Sequence, residues 1–183
     1  MGEVVTLCGD KDGQGHYVEI LDCIAGQLNA MLSYHSKLLV TQTCLRLTAD
    51  GYTGDNKPIS RFMAVLNKKL KSKKLGFKRV GYIWCRELVS SAVQHYHLTL
   101  MLDGHKCQMP HYINKLIEQI WLKQGHTKPW VPKNPFVRVL RGDKVSFLEA
   151  YRRTTYLAKV FSKGYRDKAA NDYSASRYKL KSA

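Results

Sequence analysis

A glutamate and two histidines lie close together in this chain: Glu87 in Cys85-Arg86-Glu87-Leu88, then His95 and His97 in His95-Tyr96-His97-Leu98. Residues two apart on a strand point to the same face, so the two imidazoles can reach one ion. Two imidazoles and a carboxylate suit a divalent metal with positions left for water or substrate. Such an ion, Mn²⁺ or Mg²⁺, would polarise a phosphate and offset charge in its transition state. The imidazoles tilt the choice towards Mn²⁺. A second chemical signal is Tyr156-Leu157-Ala158-Lys159, a phenol and an ammonium in a predicted helix. A metal site, a tyrosine nucleophile and a very basic chain together point to cutting of nucleic acid.

A histidine pair alone also suits the solvent face of a strand, so the surrounding pattern decides. Tyr96, Leu98, Leu100 and Leu102 alternate with His95, His97 and Thr99. The apolar side can pack on helices and leave the imidazoles on an open face. The preceding segment alternates in the same way, with Val80, Tyr82 and Trp84 on one side and Ile83, Cys85 and Glu87 on the other. Folded back across a short Ser-Ser-Ala turn, the two segments form a hairpin that brings Glu87 beside the histidines. His105 and His111 do not share the alternation and read as loop or surface residues.

Two tyrosines compete for the nucleophilic role. On a wheel of about 100° per residue, Tyr151 falls among Phe147, Ala150, Thr154, Ala158 and Phe161, the apolar face. Tyr156 falls roughly opposite, with Arg152, Lys159 and Lys163. Cations there would bind a phosphate backbone and favour the phenolate. The competing reading is an exposed tyrosine on a basic helix.

Of 183 residues, Lys and Arg number 30 against 14 Asp and Glu, a formal net charge of +16. An excess this large points to a polyanionic partner, nucleic acid above all. The five cysteines, Cys8, Cys23, Cys44, Cys85 and Cys107, form no CxxC pair and no disulfide framework. No apolar run approaches membrane-span length and no leader pattern opens the chain, so no membrane partner and a cytoplasmic location are expected.

The elements that must position these groups read in order as α-β-α-β-β-α-β-α. A helix follows Tyr17, and a strand runs over residues 37–47. Ser60 begins a helix to Leu75, whose outer face carries Lys68, Lys69, Lys71, Lys73 and Lys74. The hairpin covers 78–88 and 93–102, and helix 109–124 follows. A Pro-rich loop leads to strand 136–140 and helix 146–163. Without its first helix this is the β-α-β-β-α-β order of a ferredoxin-like or RRM-like fold. The expected class is α+β: one domain, 1–183, with an antiparallel sheet and helices packed on one face. Residues 1–15 read as a loose lead-in, and 164–183 as a basic tail that orders on DNA.

These residues resemble the HUH single-strand endonuclease superfamily, which includes rolling-circle replication initiators, relaxases and some transposases. His95-Tyr96-His97 resembles its histidine motif, and Tyr156-Leu157-Ala158-Lys159 its YxxK motif. Cys85-Arg86-Glu87-Leu88 resembles the initiator hairpin whose Glu is the third metal ligand. Thr41-Gln42-Thr43 sits loosely where initiators carry a further motif. Trp84-Cys85-Arg86-Glu87, Lys133-Asn134-Pro135-Phe136 and Ser176-Arg177 extend the likeness to inovirus-type replication proteins of phages, prophages and satellite elements. The resemblance implies an HUH endonuclease fold with Glu87, His95 and His97 on a metal, Tyr156 as nucleophile and Lys159 as its helper. Some phage initiators carry a second tyrosine four residues after the first; here that position is Val160. No Gly-Lys-Ser/Thr helicase motif is present, so unwinding and synthesis would fall to a host helicase and polymerase.

The implied reaction is nicking and joining of single-stranded DNA, or of an extruded origin hairpin, through a 5′-phosphotyrosine. Lys68, Lys69, Lys71, Arg138, Arg141, Arg152 and Lys163 are the expected backbone contacts. The alternative is a non-catalytic module that binds single strands or an origin. It would stack bases on Tyr82, Trp84, Tyr96, Trp121 or Trp130.

Overall fold

The computed structural model of the protein describes residues 3–7, 15–48, 51, 54–87, 93–160 and 170–182. Helix α1 (Val18–Tyr34) follows from apolar residues at helical spacing: Ile20, Leu21, Ile24, Leu28, Met31 and Leu32 are all buried. Ahead of it, β1 (Val4–Val5) pairs with β2 (His16–Tyr17), so the lead-in carries a short ribbon. Strand β3 (Lys37–Arg46) is buried along nearly its whole length, as a central strand covered on both faces must be. Helix α2 (Lys57–Lys71) starts earlier than Ser60. Asn56 stands at its N-cap, Pro58 lies in its first turn, and the Asp55 carboxylate accepts from the Lys57 amide at 2.9 Å. The hairpin strands are β4 (Gly81–Glu87) and β5 (His95–Asp103); the turn assigned to Ser-Ser-Ala lies outside the described residues.

Helix α3 (His111–Lys123) and β6 (Phe136–Leu140) complete the β-α-β-β-α-β unit. The five-stranded sheet has the order β6-β3-β5-β4-β7, and every neighbouring pair is antiparallel. Its last member, β7 (Tyr173–Ala175), comes from the tail. The tail from 170 onwards is therefore built into the fold rather than waiting for DNA. Beyond β7, Ser176 donates its hydroxyl to Gln27 Oε1, and its amide bonds the Tyr82 carbonyl at 2.9 Å.

The α+β class and the antiparallel sheet are as expected, but the helices occupy both faces. Trp84, Tyr96, Leu98 and Leu100 pack with Phe62 and Leu66 of α2 and with Ile117 and Trp121 of α3. The alternate residues Ile83, Cys85 and Met101, with Leu38 and Val40, pack with Ile24 and Leu28 of α1 and with Ala150. Strand side chains alternate between faces, so these clusters lie on opposite sides of the sheet. The two helices of the β-α-β-β-α-β unit take one face; α1 and the C-terminal helix take the other.

That last helix is shorter than its sequence pattern. Gly142, at φ 85°, makes the turn out of β6. The Asp143 carboxylate then accepts from the Val145 and Ser146 amides, so α4 runs Lys144–Thr154. The chain next tightens into a 3₁₀ helix, Thr155–Ala158. Among the described residues, no helix is long and apolar enough to cross a membrane.

Candidate active site

The hairpin register builds the first half of the site. Across β4 and β5, Glu87 pairs with His95 and Cys85 with His97. Their shared face is the one under α1 and α4, so the histidines do not stand on an open surface. The Glu87 carboxylate is buried, and its Oε2 lies 3.1 Å from His95 Nε2 and 2.9 Å from His97 Nε2. Donors on adjacent positions of an octahedral shell with bonds of about 2.1 Å stand about 3.0 Å apart. The Glu87 oxygen stands at about that spacing from each imidazole nitrogen.

The other neighbour of β5 brings in a residue the sequence did not single out. Cys44 on β3 pairs with His97, and Arg46 with His95. One donor atom from each of Cys44, His95 and His97 lies within 4.8 Å of the others, a cluster that could hold a metal ion. Burial pushes the Cys44 thiol above its ordinary value. A hydrogen bond to Arg46 and the charge of that residue pull it back, and the Glu87 carboxylate adds to the rise. The only hint in the sequence was that Cys44 directly follows Thr41-Gln42-Thr43; its partner on β5 depends on a strand pairing over 50 residues apart. Cys85 is otherwise engaged, its thiol donating to the Leu157 carbonyl at 3.0 Å.

Tyr156 completes the site from the 3₁₀ helix. Its ring meets the His97 imidazole edge-on, with centroids 4.9 Å apart and planes at 68°. It is 45% exposed, enough to meet a substrate. Lys159 Nζ stands 5.3 Å from the centre of the ring. Tyr151 points elsewhere: it packs on the α1 side and stacks on Phe147 at 6.5 Å.

Cations around Tyr156 are expected to hold its phenol down, and here the structure differs. Burial first, then the Glu87 carboxylate and the Cys44 and Cys85 thiols, push it up to about 12. Two of the nearby cations share one carboxylate. Arg152 Nη2 donates to Glu149 Oε2 at 3.1 Å, and Arg153 Nε to Glu149 Oε1 at 2.6 Å.

A cavity of about 540 Å³ opens beside Tyr156 and His97, lined also by Gln42, Cys44, Trp130 and Arg152. Trp130 is 55% exposed, whereas Trp84, Tyr96 and Trp121 are buried in the α2–α3 core and offer no stacking surface. The remaining expected backbone contacts are dispersed. Lys68, Lys69 and Lys71 project from α2, on the opposite side of the sheet from Tyr156. Arg138 Nε bonds the Gln108 carbonyl at 3.2 Å. Arg141 caps α1 through the carbonyls of Leu32 at 2.7 Å and Ser33 at 3.2 Å. Arg152 alone of this set lines the cavity; Lys163 lies outside the described residues.

Residues 7–124 match the family model of the YagK/YfjJ C-terminal domain. The match takes in Cys44, Glu87, His95 and His97 and ends before Tyr156. No curated protein and no solved structure matches the chain.

Proposed function

The chain belongs to the YagK/YfjJ C-terminal domain family, and we propose that it nicks and rejoins single-stranded DNA through a phosphotyrosine, as a member of the HUH endonuclease superfamily. One observation carries the reading: the Tyr156 ring lies against His97, itself 2.9 Å from the Glu87 carboxylate. Supporting it, Tyr156, His97 and Cys44, from distant parts of the chain, line one cavity.

Glu87, His95 and His97 would hold Mn²⁺ or Mg²⁺, whose chemistry when bound is Lewis-acid polarisation of the scissile phosphate. Tyr156 Oη attacks phosphorus, the bond to the 3′ oxygen breaks, and a 5′-phosphotyrosine forms. The phenolic proton ends on the departing 3′ hydroxyl. Because the phenol is pushed up to about 12, that proton must leave as attack proceeds. Lys159, beside the ring, supplies positive charge for the developing anion or relays the proton. The phosphodiester energy is kept in the new bond, so a later 3′ hydroxyl can reverse the step and reseal the strand. Trp130 offers a face on which an unpaired base next to the scissile phosphate can stack. In this reading the protein starts rolling-circle replication of a phage or mobile element in the bacterial cytoplasm, with a host helicase and polymerase.

A second reading is a non-catalytic single-strand or origin-binding regulator. The position of the α2 lysines favours it: a strongly basic face remote from Tyr156 can bind a backbone without serving catalysis.

The discriminating experiment incubates the protein with single-stranded origin DNA and Mn²⁺ and resolves products on a denaturing gel. A protein–DNA adduct that is lost in Tyr156→Phe and kept in Tyr151→Phe supports the nickase. An adduct kept in Tyr156→Phe sinks it, and binding without cleavage by the wild type favours the regulator.

A further inference from the structure

We infer that Cys44, His95 and His97 form a thiophilic-metal site that takes Zn²⁺ and shares both imidazoles with the Glu87 set. The argument starts from the sheet. His97 is the middle residue of a cross-strand row, Cys44 on β3, His97 on β5 and Cys85 on β4, all pointing to one face. Cys85 is occupied by the Leu157 carbonyl. Cys44 instead lies close to both imidazoles, and its donor atom and theirs fall within 4.8 Å of one another.

Tetrahedral zinc, with bonds of about 2.3 Å to sulfur and about 2.0 Å to nitrogen, places its ligand atoms about 3.3–3.6 Å apart. Modest side-chain rotation brings the three donors to that spacing. One thiolate and two imidazoles are a soft, nitrogen-rich set that prefers zinc to magnesium or manganese. Three protein ligands also leave a fourth position for water or a phosphate oxygen.

Glu87 approaches both Nε2 atoms, at 3.1 and 2.9 Å, so where the Cys44 set takes its ion through those same nitrogens the two sets cannot each hold an ion at once. The imidazoles are a common pair of ligands with a hard partner on β4 and a soft partner on β3. Zinc captured on the β3 side therefore displaces an Mn²⁺ or Mg²⁺ ion held through Glu87. This regulatory consequence rests on the nicking reading; the zinc site itself does not.

The test uses the whole reduced chain, freed of metal and titrated with Co²⁺ without DNA. The expected result is a near-ultraviolet thiolate-to-cobalt charge-transfer band with the visible bands of a tetrahedral ion, both removed by stoichiometric Zn²⁺. Cys44→Ser should lose the charge-transfer band and bind Zn²⁺ at least tenfold more weakly, while Glu87→Gln keeps the band. No band in the wild type, or a band that survives Cys44→Ser, overturns the site. Cys44 is 2% exposed, so its variant can fail to fold. X-ray absorption on zinc-loaded wild-type protein then decides: one sulfur among nitrogen ligands supports the site, and a shell without sulfur overturns it. A separate arm measures zinc inhibition of Mn²⁺-driven nicking, each variant normalised to its own rate without zinc. Inhibition should weaken at least tenfold in Cys44→Ser. Equal sensitivity overturns the regulatory half. A wild type that shows the cobalt band and never nicks leaves the zinc site standing and removes the nickase reading.

Discussion

The Tyr156 ring meets the His97 imidazole edge-on at 4.9 Å, although the two lie 59 positions apart in the chain. The contact depends on the end of α4. There the helix tightens into the 3₁₀ segment Thr155–Ala158, anchored by Leu157 and Ala158 in the core beneath α1. Tyr156 lies between Thr155 and Leu157, both buried, and is itself half-exposed beside His97.

Glu87 should govern hard-ion binding. Glu87→Gln keeps the shape of the side chain and removes its charge. Mn²⁺ affinity, followed by paramagnetic resonance or calorimetry on the protein alone, should fall by roughly tenfold or more, as expected when metal-site contacts are lost. Unchanged Mn²⁺ affinity would remove Glu87 from the ligand set.

Lys159 should act on rate rather than on binding. In Lys159→Met the aliphatic stem remains and the charge beside Tyr156 is lost. The nicking reading predicts single-turnover cleavage slower by about 10²-fold, in the range of one charge-stabilising or proton-transferring group. Affinity for the same oligonucleotide should change little. An equal loss in both measurements would make Lys159 a binding residue only.

Trp130 provides a separate check on the cavity. Its backbone bonds Cys44 at 2.8 and 2.9 Å in both directions, and these survive truncation of the side chain. Trp130→Ala should therefore leave the melting temperature nearly unchanged. Binding of single-stranded DNA should weaken by about 1–3 kcal/mol if a base stacks there. Wild-type affinity in the variant would rule out stacking on this ring.

Arg141 and the α2 lysines should separate stability from DNA binding. Arg141 completes the last turn of α1, so Arg141→Ala should cost about 1–3 kcal/mol by leaving charge-assisted hydrogen bonds unmade. Charge reversal at Lys68, Lys69 and Lys71, all exposed, should leave thermal stability close to wild type. If these lysines touch the backbone, the same change flattens the salt dependence of DNA binding. An unaltered salt slope would assign them to a solvated face.

The Asp143 cap gives a pH prediction. Its carboxyl sits below the ordinary range because the Ser146 side chain and the Val145 and Ser146 amides bond it. A group whose pKa is lower in the folded state stabilises the fold above its unfolded pKa. That contribution disappears as pH falls through the folded value. Wild-type protein should therefore lose melting temperature on acidification more steeply than Asp143→Asn. Parallel pH profiles for the two proteins would contradict this.

The sequence by itself determined what depends on local period and chemistry. Alternation in 80–88 and 93–102 was enough to place Glu87, His95 and His97 on one face of a hairpin, because a strand has a period of two wherever it sits. Helical spacing likewise placed Tyr151 on the apolar face, where it packs against Phe147. The β-α-β-β-α-β order, and with it the class, was legible for the same reason.

The tertiary structure decided whatever depends on which distant segments meet. Cys44 joins the histidines only because β3 pairs with β5 in this register, and a shift of one residue would turn it to the other face. The α1 and α4 pair covers the face that carries the histidines because β3 and β5 have apolar residues on both sides, a feature that alternation on β5 alone concealed. The tail became β7 because the free edge of β4 accepts a strand. Finally, Tyr156 meets His97 because α4 gives way to a tighter 3₁₀ helix after Thr154, and no heptad or wheel pattern encodes that change of pitch.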